Sequence, residues 1–343
     1  MTVHPVRSLL LAAAGLVAIS AAPALGADEQ LGGPFASEHF RDHPLVGTIW
    51  SVGSGEKVDI DALTAAATGA DVVMLGEHHD NPDHHRLQAT MIDRLAEAGR
   101  KPGVVLEMVT EAERKAMNAY LASDDRSAEG FGPAVTWTER GWPDWKIYQP
   151  IAASFIGHDL PVYAGDLSKD DQRRIGKEGL EALPADFRTI SGLEIPLGAE
   201  REDALLTVLE ESHCGMVPKA GLRPMLGVQR GRDAQLADVV IEAVKKEGSA
   251  VLIAGNGHIR GDWAVPWYLA ERAPELKVVR VAFVEADPEE TAFTDYLPQS
   301  ASGKPVYDYV WITPRAVIKD HCAELRAHFE KRMKKMKEKK AAE

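Results

Sequence analysis

Glu77-His78-His79-Asp80 and His84-His85 place four of the chain's twelve histidines within eight residues, beside two carboxylates. Imidazole and carboxylate together are common ligands of zinc, iron and copper, and common general acid–base groups. A solvated polar loop is the plain alternative, with His84 and His85 decorating a helix start. Helix N-termini disfavour cationic histidine, so a paired His there argues for a site instead. Glu107 interrupts the apolar run from Val104 to Val109, and a lone carboxylate there must be paired, metal-bound or at a mouth. His258 follows the apolar run Ala250 to Ala254 and the turn Gly255-Asn256-Gly257. Glu77, His79, Glu107 and His258 are therefore candidates to bind a divalent ion such as Zn²⁺ or Mn²⁺, or to activate water as bare Glu/His pairs. Gln229-Arg230-Gly231-Arg232-Asp233 is either a solvated face or a source of charge for the site. Arg232 then pairs with Glu77, Glu107 or a ligand carboxylate, or offsets developing anionic charge.

The elements that must carry these residues are short apolar runs followed by turns. Val72 to Leu75 suits a buried strand, Gly76 ends it, and Asn81-Pro82 reads as N-cap and first turn of a helix through Leu87, Met91, Ile92 and Leu95. Lys101-Pro102-Gly103 breaks the chain before a second strand, Val104 to Val109. Strand, helix, strand predicts a parallel pair, and Glu107 beside Glu77 and His79 if the two strands are neighbours. Asp159 to Asp166 and Ser249 to Gly255 read as further strands, Leu276 to Phe283 and Pro305 to Ile312 as the last ones. Thr48 to Val52 and the alternating Val306 to Val310 look like edges. Asp61 to Thr68 and Thr110 to Ser123 read as helices, with loops up to Gly132 and from Pro218 to Pro224. Gly255-x-Gly257 fails as a dinucleotide fingerprint because the next glycine, Gly261, comes one residue late. These patterns predict an α/β fold: a mostly parallel central sheet flanked by helices, with a helical insertion at about 168–248. Ligands in such folds bind at the carboxyl ends of the strands. Trp137, Trp142 and Trp145 cluster near Tyr148, either as core packing or as a flat wall for a planar ligand.

Residues 1–26 read as a signal peptide: Arg7, an apolar stretch from Leu9 to Ile19, and small residues before Ala27. No lipobox cysteine follows. The mature chain is therefore expected to be periplasmic or secreted, with no transmembrane segment. Residues 27–319 form the main domain, and 320–343 a basic, solvated helical tail. A net charge of −13 argues against a nucleic-acid partner. Cys214 and Cys322, in an oxidising compartment, predict one disulfide; the alternative is two thiols, one of them a soft metal or haem ligand.

The motifs Gly76-Glu77-His78-His79-Asp80-Asn81-Pro82-Asp83-His84-His85, Leu106-Glu107-Met108, His213-Cys214-Gly215, 229–233 and Gly255-Asn256-Gly257-His258-Ile259-Arg260 resemble the ChaN-like haem-binding uptake proteins of the Tiki/TraB/erythromycin-esterase superfamily. His79 matches the histidine of the Gly-Glu-x-His pattern. The resemblance implies haem as cofactor, a role in iron uptake, and a homodimer, since a characterised member holds two stacked haems between two subunits, each iron bound by a tyrosine. Tyr148 and Tyr163 are the candidates by position, with His79, His84, His85 and His258 as further haem contacts. Hydrolases of the wider superfamily use equivalent Glu and His residues, some as metal ligands, so the resemblance also implies a metal-dependent hydrolase as the alternative.

Overall fold

The computed structural model describes residues 34–327 and 329–331. The signal-peptide expectation and residues 332–343 of the basic tail lie outside them. The elements in chain order are β1 (Ile49–Ser51), β2 (Glu56–Val58), α1 (Ile60–Thr68), β3 (Val72–Glu77), α2 (Pro82–Glu97), β4 (Gly103–Thr110), α3 (Arg114–Leu121), α4 (Ala128–Ala134) and α5 (Trp145–Gly157). They continue with β5 (Val162–Asp166), α6 (Lys169–Glu178), α7 (Ala185–Ile190), α8 (Ala199–Ser212), α9 (Lys219–Glu247), β6 (Ala250–Gly255), α10 (Val265–Arg272), β7 (Val278–Glu285) and β8 (Tyr309–Thr313).

The strands form one sheet in the order β2-β1-β8-β7-β3-β6-β4-β5. From β8 to β5 all neighbours are parallel, and β1 runs antiparallel to both β2 and β8. Both faces are covered, which is why the central strands are continuously apolar rather than alternating. Val72 and Met74 of β3 pack with α9 and α10 on one face. Val73 and Leu75 pack with α2 and α5 on the other.

Three expectations are corrected. β3 and β4 are not neighbours, because β6 lies between them and pairs with both. A βαβ pattern shows that two strands are parallel; it does not show that they touch. β8 is not an edge: the β1–β2 hairpin covers it, and Val310, Trp311 and Ile312 are fully buried. β1 is internal too, and β2 is the edge. Two stretches read as loops are helical. In α4, Ser127 caps the first turn by accepting from the Gly130 N–H, and Phe131 stacks on Trp145. α9 begins directly after Pro218 and absorbs Pro224 in its second turn, where a missing N–H costs one backbone bond near a frayed end.

Cys214 and Cys322 are joined, 108 residues apart, tying the turn after α8 to the C-terminal segment. His321 Nε2 adds a 3.0 Å bond to the Ser212 carbonyl. Closing a loop of about a hundred residues is worth up to about 4.7 kcal/mol in the chain-entropy model. Thermal melting with and without dithiothreitol is expected to show a lower midpoint in the reduced protein. An unchanged midpoint with reduction verified by thiol titration would contradict that.

Candidate functional site

Side chains alternate between the two faces of a strand, and this parity separates the two glutamates. Continuing the β3 pattern, Glu77 points to the α2/α5 face. On β4, Val105 belongs to the α9 face, and so does Glu107. His79, two residues beyond β3, leans over the sheet end and connects them. Its Nδ1 lies 2.7 Å from Glu77 Oε1, and its Nε2 lies 4.0 Å from Glu107 Oε1. The strand between is β6, which ends in Gly255. A Cβ there would sit 3.2 Å from Cε1 and Nε2 of His79 and 3.7 Å from Glu107 Oε2, so the bare backbone leaves the two room to approach. The Gly255 N–H also donates to Glu107 Oε2 at 2.7 Å.

On the α2/α5 face Glu77 is fully enclosed. Its Oε1 accepts from the Tyr148 hydroxyl at 2.5 Å, and its Oε2 lies 3.2 Å from His85 Nδ1. His85 stacks on the Tyr148 ring at 3.7 Å, and its Nε2 faces the His79 carbonyl at 3.2 Å. Burial pushes the Glu77 carboxyl up, but the charges and hydrogen bonds of His85 and His79 win and hold it far below the usual carboxylate range. Burial and the charge of Glu77 push the Tyr148 phenol well above its ordinary value, so it stays a donor. His79 is displaced upward: burial lowers it, and the Glu77 hydrogen bond with the Glu107 charge raises it by more.

On the α9 face the Glu107 carboxylate is the hub of a buried charge network. Oε1 accepts from Arg232 Nη2 at 2.7 Å and lies 3.3 Å from His258 Nε2. Arg232 Nε donates to Asp166 at 2.8 Å, and His258 Nδ1 donates to Asp233 at 2.6 Å. Burial opposes the charge on Glu107, yet His258 and Arg232 keep it well below the usual range. Burial raises both Asp166 and Asp233. Burial also lowers His258, but Glu107 and Asp233 outweigh it and hold it at about 10.

A raised histidine stabilises the fold fully below its unfolded value of 6.5, and that stability is lost as pH rises through about 10. Urea midpoints are therefore expected to fall between about pH 7 and about pH 10. No decline across that window would contradict a protonated His258. The acid limb is a poorer test, because Glu107 and Glu77 lose stabilisation there while the raised Asp166 and Asp233 are relieved of a penalty.

The structure thus brings Glu77, His79, His85, Glu107, Tyr148, Arg232 and His258 to one rim. Two candidates stand apart. His84 is fully buried, accepts from the His78 N–H at Nδ1 and reaches Thr313 with Nε2, 2.9 Å. Burial and the neighbouring His78 lower it strongly, so it is a neutral packing histidine. Tyr163 is not at the rim: its hydroxyl donates to Glu247, at the end of α9, near the opposite end of the sheet.

The four residues read as a possible metal centre have other partners in the structure. Among the described residues no group of three or more His, Cys, Asp or Glu is arranged to hold a metal ion. The reason is visible in the partners: the Arg232 cation already lies against Glu107, and Tyr148 with His79 occupies Glu77. Asp166 and Asp233 were missed as members of the site. Asp166 ends β5, so its position at a strand's carboxyl end was a usable signal, whereas Asp233 looks like any other charge on α9.

Residues 63–269 match the family described as haem-binding uptake, Tiki superfamily, ChaN. No curated protein matches the chain. Among solved structures it is similar to ChaN of Campylobacter jejuni, described for cofacial haem binding, with TM-score 0.57 and 19% identity over 77% of this chain and 95% of that one. A mutant erythromycin esterase, EreC, in its open conformation gives TM-score 0.38 and 17% identity over 76% of this chain and 80% of its own. The sequence match covers more than half of the 343 residues, and the chain belongs to the ChaN family of haem-binding uptake proteins in the Tiki superfamily.

Proposed function

We propose that this chain is an exported haem-binding protein of iron uptake, and that haem docks on the rim over His79. One observation carries the placement. His79 Nδ1 is engaged by Glu77, the side chain is 37% exposed, and its ring meets Trp142 edge-on at 5.1 Å. An imidazole whose Nδ1–H is held by a carboxylate keeps its Nε2 lone pair for iron, with its orientation fixed and its basicity raised. Of the other candidates, His85, His258 and Tyr148 are buried and hydrogen-bonded, which leaves them to support rather than ligate. Trp142 supplies apolar surface for the porphyrin. Haem would bring the iron and its redox and ligand chemistry; this chain orients the imidazole and shields one face. Extending the cofacial arrangement of the Campylobacter jejuni relative, a second copy of the chain would cover the other face. Among the described residues no helix is long and apolar enough to cross a membrane.

Titrating haemin into the mature chain is expected to give a saturable Soret shift. No saturable shift would overturn the reading. The 2.7 Å Glu77–His79 pair also favours a second reading, a metal-free hydrolase in which His79 takes a proton from water. Ester hydrolysis that survives chelators and vanishes in His79→Ala would select it.

A further inference from the structure

Outside the rim, α9 carries a second group of side chains that the haem reading does not use. Gln235, Asp238, Val239 and Glu242 follow one another at helical spacing, so they share one face of the helix, starting three residues after Arg232. That face lines a cleft of about 410 Å³, within the range of ordinary small-molecule sites. Leu167, Leu183, Phe187 and Val239 give it an apolar floor.

The charged residues around the cleft are already neutralised. Arg114 pairs with Glu111, Arg174 with Asp171, Arg272 with Asp238 and Lys246 with Glu242. These pairings leave no surplus of either sign to draw an ion. Gln235 is different. It is 9% exposed, and its carboxamide has no hydrogen-bond partner among the described residues. A carboxamide carries two donors and an acceptor, and leaving them unmade in the interior is costly. Methionine has the same helix propensity and would occupy the position without that cost.

We infer that this cleft binds a short, uncharged peptide, with an apolar side chain on the floor and a backbone amide edge paired with Gln235. An extended residue presents its N–H and C=O in the same direction, as in a strand pair. A carboxamide answers both at once: Oε1 accepts from the N–H, and Nε2 donates to the C=O. The inference is independent of the haem reading.

The test titrates N-acetyl-Leu-Leu-amide into the ¹⁵N-labelled mature chain and follows the amide resonances. Saturable shifts are expected, the Gln235 side-chain NH₂ among them. Gln235→Met is expected to weaken the probe about fivefold or more, as the loss of two hydrogen bonds implies, and to leave the urea midpoint unchanged or higher. No saturable shift at millimolar probe overturns the inference, and so does equal binding by Gln235→Met. A lower urea midpoint in Gln235→Met also overturns it, because the carboxamide is then satisfied within the fold. Haemin binding is expected to be the same in Gln235→Met as in the parent chain, and a loss there would overturn the separation of this cleft from the rim.

Discussion

Glu107→Ala is expected to destabilise the protein by about 3–5 kcal/mol, enough to unfold a domain of ordinary stability. The side chain is 2% exposed and its two oxygens receive Arg232, His258 and the Gly255 N–H. Removing it leaves Arg232 with Asp166 alone, His258 with Asp233 alone, and the Gly255 N–H without its acceptor. The cost comes from leaving these buried charges under-compensated more than from the lost contacts themselves, because a buried ion pair is weak as a net stabiliser and expensive to break. Glu107→Gln keeps the volume and one acceptor but sets an amide N–H against donors. It should be folded yet clearly weakened. Urea denaturation measures both, and a loss below about 1 kcal/mol for Glu107→Ala would mean that the network carries little of the stability.

His79→Ala is expected to lower haem affinity at least tenfold and to move the Soret maximum, with little effect on folding, since His79 is the exposed member of the site. The pH dependence of the intact protein gives an independent check. Only neutral imidazole can ligate iron. Glu77 and Glu107 raise the His79 imidazole above its ordinary value, so the proton competes with iron and affinity rises as pH is raised. Haemin titrations at about pH 6 and about pH 8.5 should therefore favour the alkaline condition, and His79→Ala should abolish the difference. A pH-independent affinity, or a dependence that persists in His79→Ala, would remove His79 as the ligand.

The local elements around the site were legible in the order of residues. Val72 to Leu75 is a strand because it is apolar, although β3 runs on through Gly76 to Glu77 instead of ending at the glycine. α2 begins where Asn81 caps the N–H groups of Asp83 and His84 and Pro82 needs no bond. The family and the parallel α/β class were within reach for the same reason: motifs, caps and composition act through neighbours a few residues apart. The Cys214–Cys322 bridge, 108 residues apart, was within reach because the chain has two cysteines. Tertiary structure decided which strands touch. With β6 between β3 and β4, Glu77 and Glu107 lie on opposite faces, and His79, passing over Gly255, links them. Which charges meet was decided there too. Arg232 settles on Glu107 and Asp166, and Asp233 on His258, because α9 crosses the sheet at that height. Strand period specifies a face but not a neighbour, and charges on a helix acquire partners only when the helix is laid against the sheet.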